Sequence, residues 1–217
     1  MTLHEPHHRG KSAAHAKRLS LQALVLAAGR GTRFGGSKLQ ARYRNRPLLA
    51  YPLSIVAAAA QRGLIDAGKV VIPQDDAASL ELVREMKLEA VPNSRPELGL
   101  SHSLQLGLDA LRDTEAEAAL ILLGDQPLVR IDVVEALIAS WHSGGGAIIR
   151  PRYEATPLVP GHPVVVARSM WQEIRQAKGD AGFASLGSGG ETLVDVTGQN
   201  PDVDTLEDLQ ALEVFQP

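Results

Sequence analysis

The stretch from Leu24 to Lys38, LVLAAGRGTRFGGSK, limits what this chain can fold into more than any other segment. A short, unbroken apolar run ends at a glycine turn, which is the pattern of a buried strand. Gly29, Gly31, Gly35 and Gly36 follow in quick succession, and the missing side chains let the backbone bend sharply and come close to a ligand. Arg30, Arg33 and Lys38 add positive charge. Free N–H groups and cations at such a turn suit a polyphosphate, so a nucleoside triphosphate site is the first expectation. The plainer alternative is a strand-to-helix turn whose Arg and Lys side chains are merely solvated.

Spacing narrows the choice. Gly29, Gly31 and Gly35 read G-x-G-x-x-x-G, one residue longer than the dinucleotide fingerprint. That fingerprint also needs an acid at the end of a strand about 20 residues on, whereas the next strand-like run, Lys69 to Pro73, lies much further along. No G-x-x-x-x-G-K-[ST] occurs, which excludes a P-loop.

With 217 residues the chain suffices for one α/β domain with a substantial core. The formal net charge of −3 argues against wholesale binding to nucleic acid or an acidic membrane face. The lack of cysteine excludes disulfides and thiolate metal sites. There is no run of 18 apolar residues, so no membrane span is expected, and a cytoplasmic location is. Residues 1–19 carry His4, His7, His8 and His15 with Arg9, Lys11, Lys17 and Arg18 and few large apolar groups. They read as a disordered basic tail preceding a domain over 20–217. The histidine spacing fits no standard metal site.

Strand and helix patterns alternate beyond residue 20. Strands are expected at Leu21–Ala27, Lys69–Pro73, Leu88–Val91, Ala118–Leu123, Ala147–Arg150, Val164–Ala167 and Thr192–Val196. Helices are expected at Pro47–Arg62, Asp76–Met86, from Ser101 or Ser103 to Leu111, Ile131–Trp141, Ser169–Lys178 and Thr205–Val214. Pro47 suits a first helical position, Pro52 marks a kink or a later start, and Gly63 a stop. The alternation implies a three-layer α/β/α domain with a mainly parallel sheet, whose ligands sit at the carboxyl ends of the strands.

Asp125 ends the apolar strand Ala118–Leu123 through Gly124. It reads either as a turn or capping acid or as a ligand for Mg²⁺, a cation usually held by one or two carboxylates and substrate phosphates. Gly124 is read as clearing space for a ligand, and Gln126 as a neighbour of the substrate. Asp195, Asp202 and Asp204 offer a second carboxylate. Asp204 or Thr205 can also cap the last helix, with Glu207 and Asp208 in its first turn.

LAAGRGTRFGGSK, with LLGDQP, resembles the nucleotidyltransferases related to those of molybdenum cofactor biosynthesis, which share the nucleotide-diphospho-sugar transferase fold. The resemblance implies that the backbone of Leu26, Ala27, Ala28 and Gly29 holds base and ribose, and that Arg33 and Lys38 hold the triphosphate. It assigns the metal to Asp125 and, through a segment that resembles the family's D-x-D-T-P-E-D-L element with Leu206 where Pro is common, to Asp204. Asn93 to Leu104 resembles the family's acceptor loop, where Ser101 and Ser103 either face a phosphate or cap the helix. Pro160-Gly161-His162-Pro163 resembles its G-H-P element, where His162 is either an acceptor contact or a packed turn residue. Gly179-Asp180-Ala181-Gly182 resembles its G-D-x-G segment, which brings in Asp180.

Family members using CTP tend to carry L-A-A-G and those using GTP L-A-G-G, so Ala28 implies CTP, by a methyl group that narrows the base pocket. Discrimination of that kind is modest, about 1–3 kcal/mol. The resemblance thus implies Mg²⁺-dependent transfer of CMP from CTP to the phosphate of molybdenum-bound molybdopterin, with a molybdenum hydroxylase as downstream partner. A phosphate monoester has its second pKa near 6 and is already ionised, so no general base is needed and Arg33, Lys38 and Asp125 act electrostatically. Alternatives are GTP, another phosphorylated acceptor, or a non-catalytic carrier of the cofactor.

Overall fold

The computed structural model describes residues 20–175 and 190–214. The basic tail and Asp180 lie outside them.

The apolar run forms β1 (Leu21–Leu26), flanked by two parallel partners, β4 (Ala67–Pro73) and β6 (Ala118–Leu123). Being central, β1 must be apolar on both sides, and its residues alternate between two cores. Leu21, Ala23 and Val25 join Leu53, Val56, Val133 and Leu137 from α1 (Ala50–Gln61) and α4 (Ile131–His142), and Val83 from α2 (Ala77–Glu85). Leu24 and Leu26 join Leu104 and Leu108 from α3 (Leu100–Ala110), and Trp171 and Ile174 from α5 (Trp171–Ile174). Helices thus cover both faces, as the alternation predicts.

The sheet order is β5-β4-β1-β6-β8-β7-β9, with β5 at Glu89–Asn93, β7 at Ile148–Tyr153, β8 at Val164–Ala167 and β9 at Glu191–Val196. All pairings are parallel except those of β8, which runs antiparallel to β6 and β7. Residues 154–163 join β7 to β8 without a helix, and a parallel partner would need a longer crossover.

Several boundaries differ from expectation. Pro47 is not the first residue of a helix. Arg46–Pro47 forms β3, paired with β2 (Arg42–Tyr43) across a turn in which Arg44 and Asn45 take positive φ. The helix starts at Ala50, which puts Pro52 in its first turn, where a missing N–H costs nothing. Gly63, at φ 66°, ends it, with Leu64 N–H reaching the Ala59 carbonyl at 2.9 Å. Neither Ser101 nor Ser103 caps α3. A 3-10 turn at Pro96–Leu98 and Gly99 at φ 83° deliver the chain to a helix that begins at Leu100. The helix expected at Ser169–Lys178 is a 3-10 turn (Arg168–Met170) followed by α5, and its last residues lie outside the described ones.

Register decides where the ends fall. Leu26 pairs with Leu123, so β1 and β6 finish level and the glycine turn lies beside Gly124–Asp125. Gly124 has a different reason from the one its position implies. A Cβ there would lie 2.9 Å from Ala27 Cβ and 3.2 Å from Ala27 Cα, so the close approach is between strand ends, not to a ligand. The last helix, α6 (Leu206–Val214), packs Leu209 and Leu212 with Tyr43, Leu48 and Val203 in a third cluster against the small hairpin.

Close packing of α3 on β1 yields a stability test. A Cβ on Gly107 would meet Leu24 Cδ2 at 2.4 Å, Cδ1 at 2.5 Å and Cγ at 2.9 Å. With Leu24 fully buried, Gly107→Ala is expected to lower the unfolding free energy by about 1–3 kcal/mol through overpacking, read from urea denaturation midpoints.

Candidate functional site

Above the level ends of β1 and β6 lies a cleft of about 560 Å³. Its walls include Leu26, Ala27, Ala28 and Gly29 from the end of β1, Arg30 and Arg33 from the glycine turn, and Lys38, Asp125, Asp202 and Asp204. The turn closes on itself. Gly31 takes φ 58°, and a Cβ there would strike the Gly36 carbonyl oxygen at 2.7 Å, so only glycine fits. Thr32–Phe34 and Lys38–Gln40 form 3-10 turns that hold Arg33 and Lys38 over the cleft.

The Lys38 ammonium is the centre of the site. It donates to Asp125 Oδ2 at 2.6 Å and to Asp204 Oδ1 at 3.1 Å, and its side chain is 10% exposed. Arg33 reaches the other oxygen of Asp204 at 3.0 Å from the solvent side. Burial alone would lower the pKa of Lys38, but Asp125 and then Asp204 outweigh it and hold the amine above its ordinary range, so it stays charged. Asp202 lies nearby with its carboxyl pKa raised, first by burial and then by the charge of Asp125.

Two residues far apart in sequence from Lys38 thus share one cation, and the C-terminal segment shows how. Val203 is fully buried in the third cluster, while its neighbours Asp202 and Asp204 line the cleft. Val203 N–H donates to the Asp125 carbonyl at 3.1 Å, which ties this segment to the end of β6. Capping of α6 falls to other groups. Thr205 Oγ1 accepts from Asp208 N–H, and the Asp208 carboxylate accepts from the N–H groups of Thr205 and Asp204. The Asp204 carboxylate is thereby left to face the cations. Asp195 stands apart, paired with Arg152 across β7 and β9.

Other predicted residues are distributed unevenly. Ala28 lines the cleft, yet its side chain belongs to the α3-side core beside Leu26 and Leu104. Ser103 lines the cleft and its hydroxyl accepts from the buried Asn93 amide at 3.1 Å, whereas Ser101 is buried and is not among the lining residues. Gly161 and His162 sit on the β7–β8 loop, outside the cleft lining. Burial, and then the charge of Arg150, push the His162 imidazole down to about 3, so it is neutral at physiological pH. Residues not anticipated include Arg150, Tyr153 and Asn200, buried groups that bond to the β7–β8 loop and, for Asn200, also to Gln126; no local motif announces them.

The donor set suits a hard divalent cation. Asp125 Oδ2 and Asp204 Oδ1 already converge on one cationic nitrogen. Among the described residues no group of three His, Cys, Asp or Glu is arranged to hold a metal. Two carboxylates completed by substrate phosphates and water is the usual Mg²⁺ arrangement.

A mainly parallel α/β sheet with a cationic glycine turn and two acids at its carboxyl edge defines a nucleotidyltransferase. The chain belongs to the MobA-like NTP transferase domain family, whose model matches residues 23–194. A protein of Thermococcus gammatolerans called a probable molybdenum cofactor guanylyltransferase is 30% identical over 162 residues, covering 75% of this chain and 77% of that one. The bifunctional protein GlmU of Paracidovorax citrulli is 31% identical over 135 residues, covering 59% of this chain but only 27% of its own length. Among solved structures, Rv0371c of Mycobacterium tuberculosis has a TM-score of 0.73 at 26% identity, covering 91% of this chain and all of that one. Another structure of Rv0371c is a complex with manganese, with a TM-score of 0.71.

The shared ammonium makes a metal-linked stability test. Lys38→Met leaves two carboxylates facing one another, and is expected to lower stability at pH 8 in EDTA by about 1–2 kcal/mol, less than for a deeply buried pair. Added Mg²⁺ should restore much of that loss and stabilise the parent less, as read from urea denaturation with and without the ion.

Proposed function

We propose that this chain transfers CMP from CTP to the phosphate of molybdenum-bound molybdopterin, releasing pyrophosphate. The observation that carries the reading is the convergence of Asp125 and Asp204 on Lys38 beneath the glycine turn. In this reading the backbone of Leu26, Ala27, Ala28 and Gly29 lies along base and ribose, and Arg33 and Lys38 neutralise the triphosphate. Asp125 and Asp204 hold Mg²⁺, which when bound supplies further charge neutralisation and aligns phosphate oxygens. The same reading assigns Ser101, Ser103, Gly161, His162 and Asp180 to recognition of the acceptor.

An oxygen of the acceptor phosphate attacks the α-phosphorus of CTP. As that bond forms, the bond from the α-phosphorus to the bridging oxygen breaks, and pyrophosphate leaves with the electron pair. The acceptor is already ionised at neutral pH, so the residues need to move no proton. Their work is to bring two anions together, and fixed cations in a partly water-excluded cleft do this without reorganising. His162, neutral by burial, adds no charge to the acceptor side.

Support for CTP comes from Ala28. Its methyl group is held in the core beside Leu26 and Leu104, so that wall of the base site cannot easily retreat for a purine. A second reading, GMP transfer from GTP, is favoured by the guanylyltransferase name of the Thermococcus relative. The other elements of the proposal are a domain over 20–217 with a basic tail at 1–19, a molybdenum hydroxylase as recipient, and a cytoplasmic location. No helix among the described residues is long and apolar enough to cross a membrane.

The test is a panel of nucleoside triphosphates incubated with the full chain, Mg²⁺ and molybdenum cofactor, scored by pyrophosphate release. CTP is expected to lead, by about tenfold or more over GTP. Strong release with GTP and little with CTP would overturn the Ala28 argument. Asp125→Ala is expected to lower turnover by about a hundredfold or more while cofactor binding persists. Unchanged turnover would remove Asp125 from the metal site, and absence of any turnover in the parent would favour a carrier.

A further inference from the structure

Two buried amides link the cleft to the β7–β8 loop. Gln126, 6% exposed, follows Asp125 directly, and its Nε2 donates to Asp202 Oδ1 at 2.8 Å. Its Oε1 accepts from Asn200 Nδ2 at 3.0 Å, and the same Asn200 nitrogen donates to the His162 carbonyl at 3.2 Å. Both neighbours of that nitrogen are acceptors, so the Asn200 amide cannot be turned round without setting oxygen against oxygen.

The far end of this chain of bonds is equally well held. Tyr153 Oη donates to the same His162 carbonyl at 2.8 Å. Arg150, itself buried, donates to the carbonyls of Gly161 at 3.1 Å and Pro160 at 2.6 Å and pairs with Glu191 at 3.5 Å. Three successive carbonyls of the Pro160–His162 turn are therefore fixed from below. At the near end, Gln126 and Asp202 are chain neighbours of the acids that share Lys38.

We propose that Asn200 and Gln126 are positioning residues. They form a buried amide bridge that sets the Pro160–His162 turn against the Asp125–Asp204 pair, so that a phosphorylated acceptor at that turn meets a triphosphate in the cleft in line. The proposal rests on the reading of this turn as the acceptor side. Neither amide touches the reacting atoms. Their effect passes through the His162 backbone and through the segments bearing Asp125 and Asp204. The bridge accounts for an asparagine ahead of the D-x-D element, where the cap of α6 needs none.

The test uses the full chain with Asn200→Ala and Asn200→Asp, the second keeping the shape and losing both donated bonds. Two measurements are made first without acceptor. Amide hydrogen exchange at Gly161 and His162 is expected to quicken about tenfold, as for one lost hydrogen bond, and calorimetric affinity for Mg²⁺–CTP (or Mg²⁺–GTP, whichever is turned over) to stay within about twofold. In turnover, KM for the acceptor should rise about tenfold, with kcat changed much less. Should neither Asn200 variant fold, Tyr153→Phe, which deletes one bond to the same carbonyl, is expected to raise exchange and acceptor KM together without altering triphosphate affinity. Unchanged exchange, or a loss of triphosphate affinity as large as the rise in KM, would overturn the bridge. His162→Ala separates the two failures. If it raises acceptor KM and the Asn200 variants do not, the bridge falls alone. If it too leaves KM unchanged, the acceptor reading falls.

Discussion

One ammonium group shared by two carboxylates organises the functional end of this molecule. Asp125 and Asp204 carry like charge and come from separate segments, the end of β6 and the approach to α6. They can stand this close only because Lys38 sits between them at hydrogen-bond distance from both. At the partly buried depth of the site, where water screens less, that attraction outweighs the burial cost of the amine. The glycine turn is what brings the amine there. Gly31 bends at a φ that other residues resist, and the 3-10 turns after it swing Arg33 and Lys38 over the strand ends.

The scaffold beneath supplies the second half of the arrangement. In-register pairing of β1 with β6 makes their ends coincide, so the turn that carries cations and the turn that carries Asp125 are neighbours without further adjustment. The C-terminal segment is then fastened to that edge by an apolar anchor, Val203, and by its N–H bond to Asp125. With Val203 buried in the core, its flanking residues Asp202 and Asp204 are the ones that line the cleft. Reciprocal capping by Thr205 and Asp208 relieves Asp204 of any duty to the helix. A MobA-like NTP transferase domain therefore assembles its acids from a strand end and a pre-helical loop, with the hydrophobic core setting the distance.

Much of the fold was legible because its signals are local. β6 is continuous apolar sequence ended by Gly124, and its observed limits are the expected ones. α2 falls inside the helix expected at Asp76–Met86, with Asp76 serving as its cap. The glycine turn and its cations were likewise readable from residue type and spacing. Misreadings arose where a local signal had two physical outcomes. Pro47 suits a helix start and also a short edge strand, and the turn at Arg44–Asn45 selected the strand. Ser101 and Ser103 suit caps, but Gly99 brought the helix in earlier. Gly124 marks a close approach, and only packing shows that the visitor is Ala27.

From the order of residues alone came the alternation of strands and helices, the buried centre of the sheet, the cationic turn and the acids available to it. These follow from periodicity, chain stiffness and side-chain charge, which act over a few residues. Tertiary structure alone decided the direction of β8, the union of Asp125 with Asp204 on Lys38, and the amide contacts from Gln126 through Asn200 to the His162 carbonyl. Such pairings depend on which elements become neighbours in the packed core. Hydrogen bonds between groups dozens of residues apart leave no periodic trace in the sequence that makes them.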